Sequence, residues 1–271
     1  MFPPFTSDAA VTFELVVYQP WPTSEILKIG EVVFGHEDAF VTSDAFFRLA
    51  ARVELPDDCD DALVDRARGI LRGTLDLLRQ ALPRYTLEFG MQHHIQRLEV
   101  AGGTGKLEVP ATVCIIVRTP LPADDLMPAR ELGRTFSGMN ETQQRRSRAA
   151  AYWLEQSRVA PDAAQRVPAA CFAIESAISA SGDDKMVQQY FDAIVKVGFA
   201  LSEVKQKRLK ERLKSILEMR ASVVHHGRLD KPAKNPQVER WARDLANTIV
   251  REKLGLALPS SLAILDENLT S

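Results

Sequence analysis

Residues 205–227 read KQKRLKERLKSILEMRASVVHHG. Lys205, Lys207, Arg208, Lys210, Arg212, Lys214 and Arg220 face only Glu211 and Glu218 in the first 16 of these positions, a net charge of +5. The stretch predicts a basic amphipathic helix running to about His225, with Gly227 closing it as a left-handed cap would. Such a run is either a solvated helix face or a contact for nucleic acid.

Helical patterning extends on both sides. Asn140 followed by Gln143 resembles a capping box, and residues 149–154 (AAAYWL) begin an apolar face. A second helix is expected to reach Ser179 through Val167, Cys171, Ile174 and Ile178, and a third to cover about 185–199. A last one is expected over about 236–254, with Val238, Trp241, Leu245, Ile249 and Val250 turned inward. Short loops between such helices favour an antiparallel bundle. Upstream, residues 120–140 hold three prolines and two glycines, which reads as a linker.

The first half of the chain mixes patterns. Residues 11–18 (VTFELVVY) and 27–34 (LKIGEVVF) are rich in β-branched and aromatic residues and read as strands. Over residues 60–82, Leu63, Ala67, Ile70, Leu71, Leu75, Leu78 and Leu82 recur at steps of three and four, an amphipathic helix whose start is crowded by Asp57, Asp58, Asp60 and Asp61. Residues 95–100 and 107–117 are expected to form a hairpin across the Gly-rich turn 101–106. That turn is no phosphate loop, because Val100 and Leu107 stand where glycine and Ser or Thr are required.

Composition excludes several classes. With 45% hydrophobic and 26% charged residues the chain is neither collagen-like nor disordered. Its longest apolar stretch, residues 109–117, is broken by Pro110 and Thr112 and is too short to span a bilayer, so no membrane partner is expected. The N-terminus lacks a basic region of the secretory kind, and Cys59, Cys114 and Cys171 are odd in number and widely spaced, which points to a cytoplasmic chain with reduced thiols. The net charge of −2 is unevenly spread: residues 1–140 carry 13 Lys and Arg against 20 Asp and Glu, and residues 141–271 carry 21 against 16.

Candidate chemistry rests on few groups. His36 sits in a turn-like Gly-His-Glu-Asp, and His93 and His94 are adjacent and point apart, so they do not build a metal site by themselves. No metalloprotease motif, calcium loop or serine-hydrolase elbow is present, and no metal or cofactor is expected. What remains is Arg220 with His225 and His226 after it.

Arginine followed by histidine after four to six intervening residues resembles the motif of HEPN ribonucleases. Residues 150–154 (AAYWL), 171–177 (CFAIESA) and 220–227 (RASVVHHG) also follow the order of an Apea-like HEPN domain: an aromatic first helix, an ALEAL-like second and an RSxIVHG-like end to a later one. The resemblance covers about residues 141–255. One departure concerns the extra histidine before Gly227, and another Ala221, where a polar residue often follows the arginine.

The patterns of the first half read as an α+β leader domain at 1–122 followed by a linker at 123–140, and the resemblance implies an all-α HEPN-type helical bundle at 141–256, with a tail at 257–271. It implies a metal-independent endoribonuclease, with tRNA among its candidate substrates and a defence or toxin setting, with Arg220 and His225 or His226 as catalytic groups and Glu175 and Ser222 in support. RNA would run along Lys205, Lys207, Arg208, Lys210, Arg212 and Lys214. One histidine is too few for two proton transfers, so a homodimer with a composite cleft is implied. The alternative is a noncatalytic HEPN scaffold or nucleotide- or RNA-binding module. On a straight helix His225 lies about 140° around from Arg220 and His226 about 120° the other way. Convergence then needs the helix to end between the histidines or a two-fold partner to contribute; the Val223-Val224-His run favours His225.

Overall fold

The computed structural model describes residues 9–17, 26–35, 47–55, 63–82, 88–100, 103–105, 109–116, 126–179, 185–226 and 237–266. The chain divides into two compact units, 1–139 and 140–271. Among the described residues no helix is long and apolar enough to cross a membrane.

The first unit is α+β. Seven strands, β1 (Ala9–Val17), β2 (Leu27–Ile29), β3 (Val32–Gly35), β4 (Phe47–Leu55), β5 (Glu88–Val100), β6 (Gly103–Gly105) and β7 (Val109–Ile116), lie in the order β2-β3-β4-β1-β7-β5-β6. One edge of β1 takes β4 antiparallel along its whole length. Its other edge is shared: β5 pairs antiparallel from Ala9 to Glu14, and β7 pairs parallel from Leu15 to Val17. Helices α1 (Leu63–Ala81) and α2 (Met127–Ser137) complete the unit. Leu71, Leu75 and Leu78 of α1 and Leu132 and Phe136 of α2 are buried, as are Ile29, Val32 and Phe34 of the sheet.

Three expectations need correction here. The stretch 27–34 is two strands, because Gly30 at φ 58° supplies the positive φ of a tight two-residue hairpin turn, which sets Leu27 opposite Phe34. The Gly-rich 101–106 contains β6, which pairs back on β5, although β5 and β7 do run antiparallel as expected. The region 123–140 contains α2, whose Pro128 falls in the first turn, where no intrahelical N–H bond is lost. At Gly133 a Cβ would collide with the Lys28 carbonyl oxygen, so glycine is what lets α2 approach β2. Asp57, Asp58, Asp60, Asp61 and His36 lie outside the described residues.

The second unit is helical throughout its described residues: α3 (Glu141–Val159), α4 (Ala163–Ile178), α5 (Met186–Lys196), α6 (Glu203–His226) and α7 (Gln237–Lys253), then a 3-10 turn at Ala263–Leu265. Asn140 caps α3 with a full capping box, accepting from the Gln143 N–H at 2.9 Å while the Gln143 side chain accepts from the Asn140 N–H at 2.9 Å. Asp162 caps α4 and Ser202 caps α6, accepting from the Gln165 and Lys205 N–H groups. The start of α3 meets the end of α4 where Arg146 donates to Ser179, so these two helices run antiparallel. The core is α4, whose Val167, Cys171, Ala173 and Ile174 are buried, packed by Ala151 and Leu154 of α3, Leu213 and Ile216 of α6 and Leu245 and Ile249 of α7. Arg166 near the start of α4 grips Glu239 of α7 with two bonds, 2.8 and 3.1 Å.

Residues beyond 256 are more than a tail. Gly255 at φ 67° ends α7 in a Schellman turn, with Leu256 N–H bonded to the Arg251 carbonyl at 2.9 Å and Gly255 N–H to the Glu252 carbonyl at 3.0 Å. Leu256, Leu262 and Ile264 are then buried against the bundle.

Candidate functional site

Two helices of the bundle bring two of the expected groups, Glu175 and Arg220, together. On α4, Cys171, Phe172 and Glu175 fall within little more than one turn. On α6, Arg220 lies one turn beyond the buried Ile216 and shares its inward side, which aims it at α4. Its Nη2 donates to Oε2 of Glu175 at 3.3 Å, with the two side chains 15% and 18% exposed. The guanidinium carbon sits 5.6 Å from the centre of the Phe172 ring. Arg220 is thus flanked by a carboxylate and an aromatic ring.

Tyr190 of α5 completes the arrangement. Its buried hydroxyl lies 3.2 Å from Oε1 of Glu175 and 3.3 Å from the Cys171 carbonyl. Burial first, then the nearby Cys171 and Glu175, raises this hydroxyl well above the usual tyrosine range, so it stays protonated and able to donate. Burial likewise pushes the Cys171 thiol up to about 12, with Glu175 adding to the effect, and such a thiol is no nucleophile at neutral pH. The sequence did not single out Tyr190. Its signal was present, since Met186, Tyr190 and Ile194 form one buried face of α5, and a buried tyrosine needs a partner for its hydroxyl.

The chain matches no protein-family model, no curated protein and no solved structure.

The histidines stand apart from the ion pair. His225 is exposed near the end of α6, and the helix continues through His226, so it does not end between them. At 3.6 residues per turn His225 therefore remains about 140° around α6 from Arg220. Ser222 is half-buried. Gly227 and the His226 side chain lie outside the described residues.

The basic residues of α6 divide into two groups. Lys207, Lys210 and Lys214 are exposed on the side opposite the buried Leu209, Leu213 and Ile216, and His225 shares that outward side. Lys210 also holds its ammonium 4.6 Å from the Phe191 ring centre, and Lys214 makes an exposed pair with Glu218 at 3.8 Å. Arg208 is exposed and Lys205 half-buried. Arg212 differs. Its guanidinium lies 4.7 Å from the Trp241 ring centre and donates to the carbonyls of Ile264 and Asp266, the latter at 2.9 Å. That side chain fastens the C-terminal segment onto α6 and α7.

Proposed function

We propose that residues 140–271 act as a metal-independent endoribonuclease of HEPN type. The observation that carries this reading is the Glu175–Arg220 pair, because it joins two of the segments whose order resembles an Apea-like HEPN domain. A guanidinium held this way is pre-positioned for a phosphate, whose charge builds as the chain is cut. In the reaction the ribose 2′-oxygen attacks the adjacent phosphorus, the bond to the 5′-oxygen breaks, and a 2′,3′-cyclic phosphate and a 5′-hydroxyl result. One histidine takes the 2′-hydroxyl proton and a second returns a proton to the departing oxygen, work suited to imidazole at neutral pH.

Within one chain Arg220 and His225 point to different sides of α6. A two-fold homodimer supplies the second arginine and histidine, and its composite cleft is where the groups converge. His225 is the assigned base or acid, with His226 the competing choice. The exposed lysines on the His225 side of α6 hold the RNA backbone, and tRNA or single-stranded RNA is the substrate, in a toxin or defence setting.

Expression of the wild-type chain and of Arg220→Ala, followed by a gel of total RNA, tests this reading. RNA loss with the wild type alone supports it. Intact RNA in both, with the protein still binding RNA, leaves a noncatalytic scaffold or binding module instead.

A further inference from the structure

The Arg220 guanidinium is one end of a chain of aromatic contacts that leads to the surface. Arg220 lies over Phe172, the Phe172 ring centre is 5.1 Å from that of Trp153, and Trp153 is 5.1 Å from Tyr152. The interplanar angles are 57° and 67°, tilted and edge-on contacts that fix each ring against the next. Phe172 and Trp153 are half-buried, whereas Tyr152 is 45% exposed.

Positive charge flanks the exposed ring. Arg148 stands four positions and Arg145 seven positions before Tyr152 on α3, the spacing that stacks side chains along one helix face. Arg145 is exposed. The outer ring therefore shares its helix face with the exposed Arg145 and the half-buried Arg148, and with Glu155 three positions on, which is itself paired with Arg158.

We propose that Tyr152, braced by Trp153, is a stacking subsite for a nucleobase of single-stranded RNA, whose neighbouring phosphates meet these arginines. Every base has a π-face, so an exposed ring held rigidly from behind and set among cations accepts one without regard to sequence. The inference rests on the ribonuclease reading for its choice of RNA, but it concerns binding, and it is tested apart from cleavage.

The test uses a fluorescent 2′-O-methyl oligouridylate of about ten nucleotides, within the usual single-strand site sizes. Lacking a free 2′-hydroxyl, it binds without being cut. Affinity is read by anisotropy for the full-length wild type, Tyr152→Ala and Tyr152→Phe, with inorganic polyphosphate as competitor and mass by light scattering. Tyr152→Ala should weaken oligonucleotide binding by about 5- to 150-fold while polyphosphate binding holds, and Tyr152→Phe should bind like the wild type. Undiminished affinity of Tyr152→Ala for the oligonucleotide overturns the subsite and leaves the ribonuclease reading standing. Equal loss for polyphosphate, or a change in mass, also overturns it, the latter assigning the ring to contact between copies. A wild-type protein that neither binds the oligonucleotide nor cuts RNA overturns both readings.

Discussion

Glu175 and Arg220, 45 positions apart, meet at 3.3 Å across α4 and α6, and the Tyr190 hydroxyl reaches the other carboxylate oxygen at 3.2 Å. A single carboxylate thus ties three helices of the bundle around a cation that is largely withdrawn from solvent.

Removing that carboxylate should cost stability. Glu175→Ala takes a partner from a mostly buried guanidinium and from a buried hydroxyl, an expected loss of about 1–3 kcal/mol, while Tyr190→Phe removes only the hydroxyl shared between the Glu175 carboxylate and the Cys171 carbonyl, a loss of about 1 kcal/mol. Urea denaturation of each variant measures this; a smaller loss for Glu175→Ala than for Tyr190→Phe would contradict the arrangement.

In the first unit the close approach of α2 to β2 predicts that Gly133→Ala is destabilising by about 1–3 kcal/mol, because the added methyl meets the Lys28 carbonyl oxygen. An unshifted unfolding midpoint would show that this helix has room to move.

The two groups of basic residues on α6 should separate by experiment. Lys207→Ala, Lys210→Ala and Lys214→Ala together are expected to leave stability nearly unchanged and to weaken RNA binding evenly across sequences, with a shallower salt dependence. Arg212→Ala should instead destabilise the bundle by about 1–3 kcal/mol through loss of the Trp241 contact and the two carbonyl bonds. Chemical denaturation and a salt titration of binding check both.

Stability should fall on the alkaline side. Folding raises the Cys171 thiol from 9.0 to about 12, so the protonated thiol is common to both states below pH 9 and this contribution is fully present there. Between pH 9 and 12 the unfolded chain releases that proton while the folded one keeps it, and stability is progressively lost. Tyr190, raised from 10.0, adds to the loss above pH 10. Urea midpoints measured from pH 8 to 10.5 should decline less steeply in Cys171→Ala than in the wild type.

What the sequence revealed follows the range of the interactions. The capping box at Asn140 and Gln143 and the buried stripe Val238, Trp241, Leu245, Ile249 and Val250 of α7 were legible, because helix starts and helix faces are written within a few residues. The hairpin at Gly30 was not, since a continuous apolar run on both sides hid a turn that depends on one positive φ. Helix α2 was hidden by prolines, one of which sits where a helix tolerates it. In the candidate site, Glu175 and Arg220 were named from the resemblance to the Apea-like HEPN order, whereas Tyr190, the place of Phe172 and the role of Arg212 depend on contacts between distant helices. No spacing in one sequence encodes which ring will lie beneath a given guanidinium.

The central claim is tested most directly by incubating purified wild type, Arg220→Ala, His225→Ala and His226→Ala, each confirmed as folded, with single-stranded RNA in EDTA. The account predicts cleavage by the wild type to 2′,3′-cyclic phosphate ends, its loss in Arg220→Ala and His225→Ala, and its persistence in His226→Ala. Activity lost in His226→Ala and kept in His225→Ala would move the chemistry one residue along. Full cleavage in all three variants, or none by the wild type, would contradict the ribonuclease reading.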